Sequence, residues 1–263
     1  MGCFAENGAV EHTLDAFHRG KFWLVQPKNG GHRAGMDAMM LAAAVPSGFA
    51  GHIADLGAGA GAAGLAVIAR CPKAHATLIE LAPEMAAFAE RTLAHPDNAG
   101  IAPRARIVTA DVGLTGKKRQ DAGLEDHVFD FAIMNPPFNS AADRSTPNAL
   151  KRTAHVMEDG LFEAWLRTAA AIVKPRGGVA IIARPQSLAP ILASLASRFG
   201  AARILPIHPR IDMPAIRIIV RAVRGSRAGL SLEPPLFLHE AGSDRFSARA
   251  DDINNGRASL FGD

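Results

Sequence analysis

The sequence predicts an α/β protein: a doubly wound, seven-stranded, mostly parallel sheet with an antiparallel C-terminal hairpin. Three observations carry this expectation. From residue 52 onward, short apolar runs alternate with stretches of helical periodicity, the order of a parallel sheet covered on both faces. A glycine-rich turn follows the first of these runs. The last two runs are only about eight residues apart, too few for a helical crossover, so they should pair antiparallel at the sheet edge.

The elements follow in order. Ile53-Ala54-Asp55-Leu56 reads as a buried strand ending in glycines, and Ala60 to Ala69 as a helix. Ala76 to Leu81 is a second strand, and Pro83 to Ala94 a helix with proline in its first turn. Arg106 to Ala110 and Phe129 to Met134 are the third and fourth strands. Asp159 to Val173 is a helix, Gly178 to Ala183 a strand, and Ser187 to Arg198 another helix. Ala202 to Ile207 and Ala215 to Val223 form the hairpin. Residues 225–263 are rich in Gly, Ser, Pro and charge, so a short strand near Leu236-Phe237-Leu238 and a loose end are expected. The divisions are a segment 1–50 capping the site, a catalytic domain 51–240 and a tail 241–263.

Composition narrows the function. The chain has 263 residues, enough for one large domain, and at 48% hydrophobic it is too apolar for a disordered one. No apolar run reaches about 18 residues, so no membrane span is expected. Met1 to His12 lacks a charged start followed by an apolar stretch, so a cytoplasmic location is the default. Cys3 and Cys71 lie far apart, and the ten histidines make no HxxxH or HExxH pattern. Neither a disulfide framework nor a metal site is expected. The net charge is +4, with 22 arginines against seven lysines, a balance that suits phosphate-bearing partners. There is no tyrosine, which removes any mechanism needing a phenol.

Two motifs carry the chemistry. Asp55-Leu56-Gly57-Ala58-Gly59-Ala60-Gly61 follows the first strand and leads into a helix N-terminus. Glycines there let the backbone turn sharply and approach a ligand closely. Two frames compete. Gly59-x-Gly61-x-x-Gly64 fits a dinucleotide fingerprint, with Glu80 21 residues beyond Gly59 for a ribose. Alternatively Asp55-x-Gly57-x-Gly59-x-Gly61 is the frame. The first choice pushes Asp55 into the buried strand body, where a carboxylate is costly, and this favours the second. The other motif is Asn135-Pro136-Pro137-Phe138, directly after the fourth strand. Its prolines fix a rigid extended turn. The Asn135 amide oxygen and the Pro136 carbonyl can accept both hydrogens of a planar amine, and Phe138 can stack on a base.

The first motif resembles that of class I S-adenosylmethionine (SAM)-dependent methyltransferases. The second resembles the (N/D/S)PP(Y/F/W) turn of amino-methyltransferases acting on adenine, guanine or glutamine amides. Gln26-Pro27-Lys28 and the run His32 to Ala43 are similar to the segment before the glycine motif in bacterial tRNA (adenine-N(6)) methyltransferases acting on valine tRNA. The stretch Asn139 to His155 and the run Pro234 to Glu240 also look like that family. The resemblance covers roughly residues 20–245 and departs at Ala60-Gly61-Ala62, where a polar residue commonly follows the second glycine. It implies a Rossmann-like fold, SAM as cofactor and structured RNA, tRNA first, as partner. It implies cofactor contacts from Arg33, Asp37, Asp55, Gly57, Ala58, Gly59, Gly61, Glu80, Leu81, Asp111, Val112 and Asn135. Asn135, Pro136 and Phe138 would be catalytic, and Pro137, Phe138, Arg144, Lys151, Arg152 and His155 would meet the substrate.

Rival substrates remain. Glutamine methyltransferases of release factors carry an N-terminal helical domain, for which the roughly 50 residues before the first strand are too few. DNA adenine methyltransferases usually have a separate recognition region, and guanine-N(2) rRNA enzymes a duplicated domain; neither is visible. A SAM-binding RNA-binding protein without catalysis would not need the intact turn. The polyanion is expected on the loop after the turn and on a basic edge strand of Arg217, Arg221 and Arg224, with Lys117-Lys118-Arg119 as a weaker candidate.

Overall fold

A computed structural model of the chain describes residues 11–28, 33–137 and 148–263, with the backbone alone over 148–159. An antiparallel hairpin comes first, β1 (His12–Phe17) and β2 (Phe22–Pro27). Then come α1 (Met36–Ala43), β3 (Gly51–Leu56), α2 (Ala62–Arg70), β4 (Ala74–Glu80) and α3 (Pro83–Ala94). β5 (Ala105–Thr109), α4 (Gly116–Asp121), β6 (Phe129–Met134), α5 (Asn148–Ile172) and β7 (Val173–Ala183) follow. The chain continues through α6 (Leu188–Leu195), β8 (Phe199–His208), β9 (Arg217–Arg224), β10 (Ser231–Leu232), β11 (Leu236–Phe237) and α7 (Ala248–Asn254).

The main sheet has the order β10-β8-β9-β7-β6-β3-β4-β5, with β11 also on β8. It is parallel from β7 through β6, β3 and β4 to β5, and β9 runs antiparallel to both β7 and β8. The expected strands are therefore β3 to β9, and β10 and β11 are additions. One helical layer, α1 to α3, packs its apolar side chains on one face, and α5 and α6 on the other. Strand alternation divides the sheet between them: Ile53 and Leu78 face the first layer, Ala54 and Ile79 the second.

Local chemistry explains the close packing at the sheet centre. Residues 62–68 of α2 are all buried, because small Ala and Gly side chains let the helix lie tight on the strands. A Cβ at Gly64 would come within 2.4 Å of Leu78. α3 starts with proline and stops before His95-Pro96, where the residue preceding a proline is driven out of helical geometry.

Three expectations change. The hairpin strand β9 is interior rather than an edge, because it inserts between β8 and β7. Its arginines are engaged within the fold: Arg217 with Asp37, Arg221 with Asp263, and Arg224 with the Val173 carbonyl and His127. Arg119 likewise does not face solvent. It is buried on α4 and donates to the Leu124 carbonyl and Asp126. Nor is the tail loose. α7 and its sequel bury Ala250, Ile253 and Leu260, and the Leu260 N–H donates to the Ala43 carbonyl at 2.7 Å. Polar composition hid this, since much of what holds the segment is polar and long-range: Asp263 pairs with Arg221, Asp251 with Arg19, and the Ser47 N–H donates to the Asp263 carbonyl. No helix among the described residues is long and apolar enough to cross a membrane.

Candidate active site

The carboxyl ends of four neighbouring parallel strands meet along one edge. Leu56 is opposite both Ile79 and Met134, and Glu80 is opposite Thr109. Gly57, Glu80, Ala110 and Asn135 therefore leave the sheet side by side. In open α/β folds ligands bind at this edge.

The turn after β3 is built by three glycines in the left-handed region, with φ of +72° at Gly57, +57° at Gly59 and +94° at Gly61. Gly57 and Ala58 both donate their N–H to the Ile79 carbonyl at 2.9 Å, which folds the turn against β4. A side chain at Gly57 would strike the Trp165 ring at 2.5 Å, and one at Gly61 would strike Leu78 at 2.8 Å. At Gly59 the nearest neighbour would be the Met85 methyl at 3.7 Å, so that side of the loop is open. Trp165, on α5, forms the wall behind Gly57. Sequence reasoning missed it, and its lone position on a helix offered no motif to find it by.

Glu80 ends β4 with both oxygens held. Oε2 accepts the Gly59 N–H at 2.7 Å and Oε1 accepts the Ala82 N–H at 2.8 Å. A carboxylate has about four lone-pair sites, so each oxygen keeps one for a diol. Leu81, next in the chain, is a large apolar residue left 60% exposed. Past β5, Asp111 is exposed and its Oδ1 accepts the Gly113 N–H at 2.7 Å. The Val112 carbonyl accepts from the Thr168 hydroxyl at 2.6 Å, which anchors this strand end to α5.

Asp55 lies beneath the loop, 2% exposed, and its Oδ2 accepts the Gly64 N–H in the first turn of α2 at 2.8 Å. Burial pushes its carboxyl up to about 7; the Gly64 hydrogen bond opposes this and the Glu80 charge adds to it. A buried carboxyl at Asp55 is therefore present in the fold and does not by itself disfavour the dinucleotide frame. Asp55 is in the buried strand body; the Gly64 N–H offsets part of the cost of burying its charge, and the raised pKa lets the carboxyl hold a proton for the rest.

Asn135 is half-buried and Pro136 buried, while Pro137 is exposed. The Asn135 Oδ1 is closed off from solvent and has no hydrogen-bond partner among the described residues. An orphaned buried acceptor costs about 1–3 kcal/mol, and a ligand donor would relieve it. Phe138 and Arg144 lie outside the described residues. Lys151, Arg152 and His155 fall in the first turns of α5, where only the backbone is described.

Two sequence candidates are engaged elsewhere. Arg33 donates to Asp15 and the Thr13 hydroxyl at 2.9 Å each and to the Pro27 carbonyl at 3.3 Å, which ties it to the β1–β2 hairpin. No hydrogen bond links it to the glycine loop among the described residues. Asp37, in the first turn of α1, accepts from Arg217 at 2.8 Å. Gln26 completes this cap: its side chain bridges the Ala34 N–H and Asp15. Among the described residues no group of His, Cys, Asp and Glu is gathered to hold a metal.

A twisted parallel sheet with an antiparallel final hairpin, a left-handed glycine loop and an acid on the next strand is the architecture of class I SAM-dependent methyltransferases. The chain belongs to the methyltransferase small domain family, whose model matches residues 32–208. It is similar to the crystal structure of a predicted O-methyltransferase, protein Atu636 from Agrobacterium tumefaciens, at 48% identity and TM-score 0.75; the match covers 85% of this chain and 98% of that one. The Thermus thermophilus 16S rRNA N2 G1207 methyltransferase with AdoMet and guanosine shares the fold at 18% identity and TM-score 0.53, covering 81% of this chain and 50% of that one. The Aquifex aeolicus tRNA (m1A58) methyltransferase does so at 12% identity and TM-score 0.51, over 78% and 79%. No curated protein matches the sequence. The protein is thus a SAM-dependent methyltransferase, and SAM is its cofactor.

Proposed function

We propose that the enzyme methylates the exocyclic amine of an adenine in a structured RNA, tRNA first. The observation that carries this reading is the unpartnered, buried Oδ1 of Asn135 at the sheet edge beside the glycine loop. An amide oxygen is a hydrogen-bond acceptor with no useful basicity. It suits an amine, whose protons leave after attack, better than a hydroxyl, which must lose its proton to become a nucleophile.

The cofactor supplies a methyl group on a positively charged sulfur, already electrophilic. The chain's own residues do the rest. Glu80 would take the ribose hydroxyls with its spare lone pairs, Leu81 would lie against the adenine, and Asp111 would accept from its amine. Gly57, Ala58, Gly59 and Gly61 would line the methionine portion, with Asp55 holding the loop to α2. Val112 positions Asp111. Asp37 and Arg33 would act from outside, by fixing the entry of α1. Asn135 Oδ1 and the Pro136 carbonyl would accept the two protons of the acceptor amine and favour its pyramidal form as the bond develops. Phe138 would stack on the base, and Pro137 would hold the turn extended. The acceptor base would have to be flipped out or already unstacked.

With the β9 arginines and Arg119 engaged, Arg144, Lys151, Arg152 and His155 after the turn would be the first candidates for the polyanion, and Lys117 and Lys118, exposed on α4, the weaker ones. The domain division would then be a cap formed by residues 1–50 and a catalytic unit over 51–240, with 241–263 packed back on it, and the protein would act in the cytoplasm. The test is incubation with labelled SAM and total tRNA, followed by nucleoside analysis. N(6)-methyladenine is the expected product. Labelled methylglutamine in protein, or N(2)-methylguanine, would replace the adenine reading. Binding should weaken steeply with salt, by about 0.7–0.9 in log–log slope for each phosphate contact. Replacing Lys151 and Arg152 by Ala should reduce that slope by up to about 2.

A further inference from the structure

An open cleft of about 390 Å³ lies at the amino ends of β3, β4, β5 and β6, lined by His52, His75, Arg104, Arg106 and Asp130 among others. It lies at the opposite end of the strands from Asn135, about 20 Å away for a six-residue strand. Nothing in the methyl-transfer reading uses it.

Its side chains are ordered by the sheet. His52 is the register partner of His75, and Thr77 of Arg106. Strand alternation puts His52, His75, Thr77 and Arg106 on one face. The Arg106 Nε donates to the Thr77 hydroxyl at 2.9 Å, and the same oxygen lies 2.9 Å from His52 Nε2. Arg104 is fixed by one nitrogen, which donates to the carbonyls of Ile68, Cys71 and Ala74 at 2.7–3.2 Å. Both guanidinium groups are thus held by neutral partners, and among the described residues no carboxylate pairs with either. Asp130, the one carboxylate of the lining, is engaged by Lys174 at 2.6 Å and by the His52 N–H at 2.8 Å. The cleft therefore keeps a surplus of positive charge from Arg104 and Arg106 within a concave lining that also includes Gly51, Ala76, Pro103 and Ala105.

We propose that this cleft is a second ligand site that takes a phosphate group, bound by the Arg106 fork and Arg104 with His52 and His75 at its side. Arginine is suited to this role because its planar donors match phosphate oxygens two at a time. The electrostatics of His52 agree. Burial lowers its pKa, Arg106, His75 and Lys174 lower it further, and only Asp130 opposes them. An anion in the cleft would oppose that bias by offsetting the charge of Arg106. The phosphate belongs either to a free mononucleotide or to a polynucleotide backbone, and both present at least two non-bridging oxygens to a guanidinium.

Histidine proton resonances followed across pH, with and without millimolar inorganic phosphate, test the site. Phosphate should raise the His52 pKa, and chloride at equal ionic strength should not. Arg106→Ala should weaken phosphate binding by about tenfold or more, the range for a charge-assisted hydrogen bond. Arg106→Lys, which keeps the charge without the fork, should fall between. SAM affinity and the melting curve of each variant should match the parent, which separates loss of a site from loss of fold. A second arm identifies the source. If Arg106→Ala lowers the salt slope of RNA binding by about 0.7–0.9, the phosphate is a backbone phosphodiester; if RNA binding is unchanged while phosphate binding falls, it is a small free anion. An unmoved His52 pKa, or phosphate binding that survives in a folded Arg106→Ala protein, overturns the proposal.

Discussion

Glu80 closes the glycine loop onto its own strand: its Oε2 accepts the Gly59 N–H at 2.7 Å across 21 residues of chain. The same carboxylate holds the start of α3 through the Ala82 N–H. One side chain thus shapes the loop and offers acceptors to a ribose. Glu80→Ala should weaken SAM binding by about 1.5–3 kcal/mol, the range for hydrogen bonds to a charged group. Glu80→Gln, which keeps one acceptor oxygen, should lose less. Calorimetry with SAM decides this, and equal losses in both variants would mean that the charge, not the geometry, matters.

Asn135 should separate chemistry from binding and from stability. Asn135→Ala should lower the methyl-transfer rate by roughly 10²-fold, the scale for loss of one preorganised polar group. SAM affinity should change little. Stability should be unchanged or raised by up to about 1 kcal/mol, because the variant removes a buried acceptor that has no partner among the described residues. Single-turnover methylation and denaturant melts measure the two effects. A variant that is both active and less stable contradicts the assignment.

The parallel core was legible because its signals are local. Pro83–Ala94 and Phe129–Met134 match the structure residue for residue, since a proline start and a continuous apolar run mark their limits. The fate of the arginines was not legible. Whether Arg217 meets solvent or Asp37 depends on a partner 180 residues away. The β1–β2 hairpin was missed for the same reason. The apolar run Phe22 to Val25 after Gly20 marks a strand, but its partners do not show in residues 12–27: the Val25 N–H donates to Thr92 and the Trp23 N–H to Asn98. Trp165 behind Gly57 belongs to that class too.

The loop glycines should fail in different ways. Gly57→Ala meets the Trp165 ring at 2.5 Å and also carries a φ of +72°. It should cost about 1–3 kcal/mol of stability, and Trp165→Leu in the same chain should recover part of that. Gly59→Ala meets nothing closer than 3.7 Å, so only backbone strain of about 1 kcal/mol applies. Its SAM affinity should nevertheless fall by about tenfold or more, because the added methyl fills the open side of the loop. Parent-like SAM binding by Gly59→Ala would place the cofactor elsewhere.

Two buried groups should give the stability profile opposing slopes. Asp55 is raised from 3.8 to about 7 by burial, so the folded chain keeps a proton that the unfolded chain has released. Its contribution is complete below pH 3.8 and is lost as pH rises through about 7. His18, 3% exposed at the tip of the β1–β2 hairpin, has neither ring nitrogen hydrogen-bonded among the described residues. Burial lowers it from 6.5 to about 4, with the charges of Lys21 and Arg70 adding. Its contribution is complete above pH 6.5 and is lost as pH falls through about 4, because the unfolded imidazole takes up a proton that the folded one refuses. Asp55→Asn should therefore flatten the decline between pH 4 and 7 and raise stability most at the neutral end. His18→Asn, a residue that tolerates the φ of +49° there, should flatten the rise between pH 4 and 6.5. Urea unfolding across that pH range reads both, and a profile unchanged in either variant removes that residue from the account.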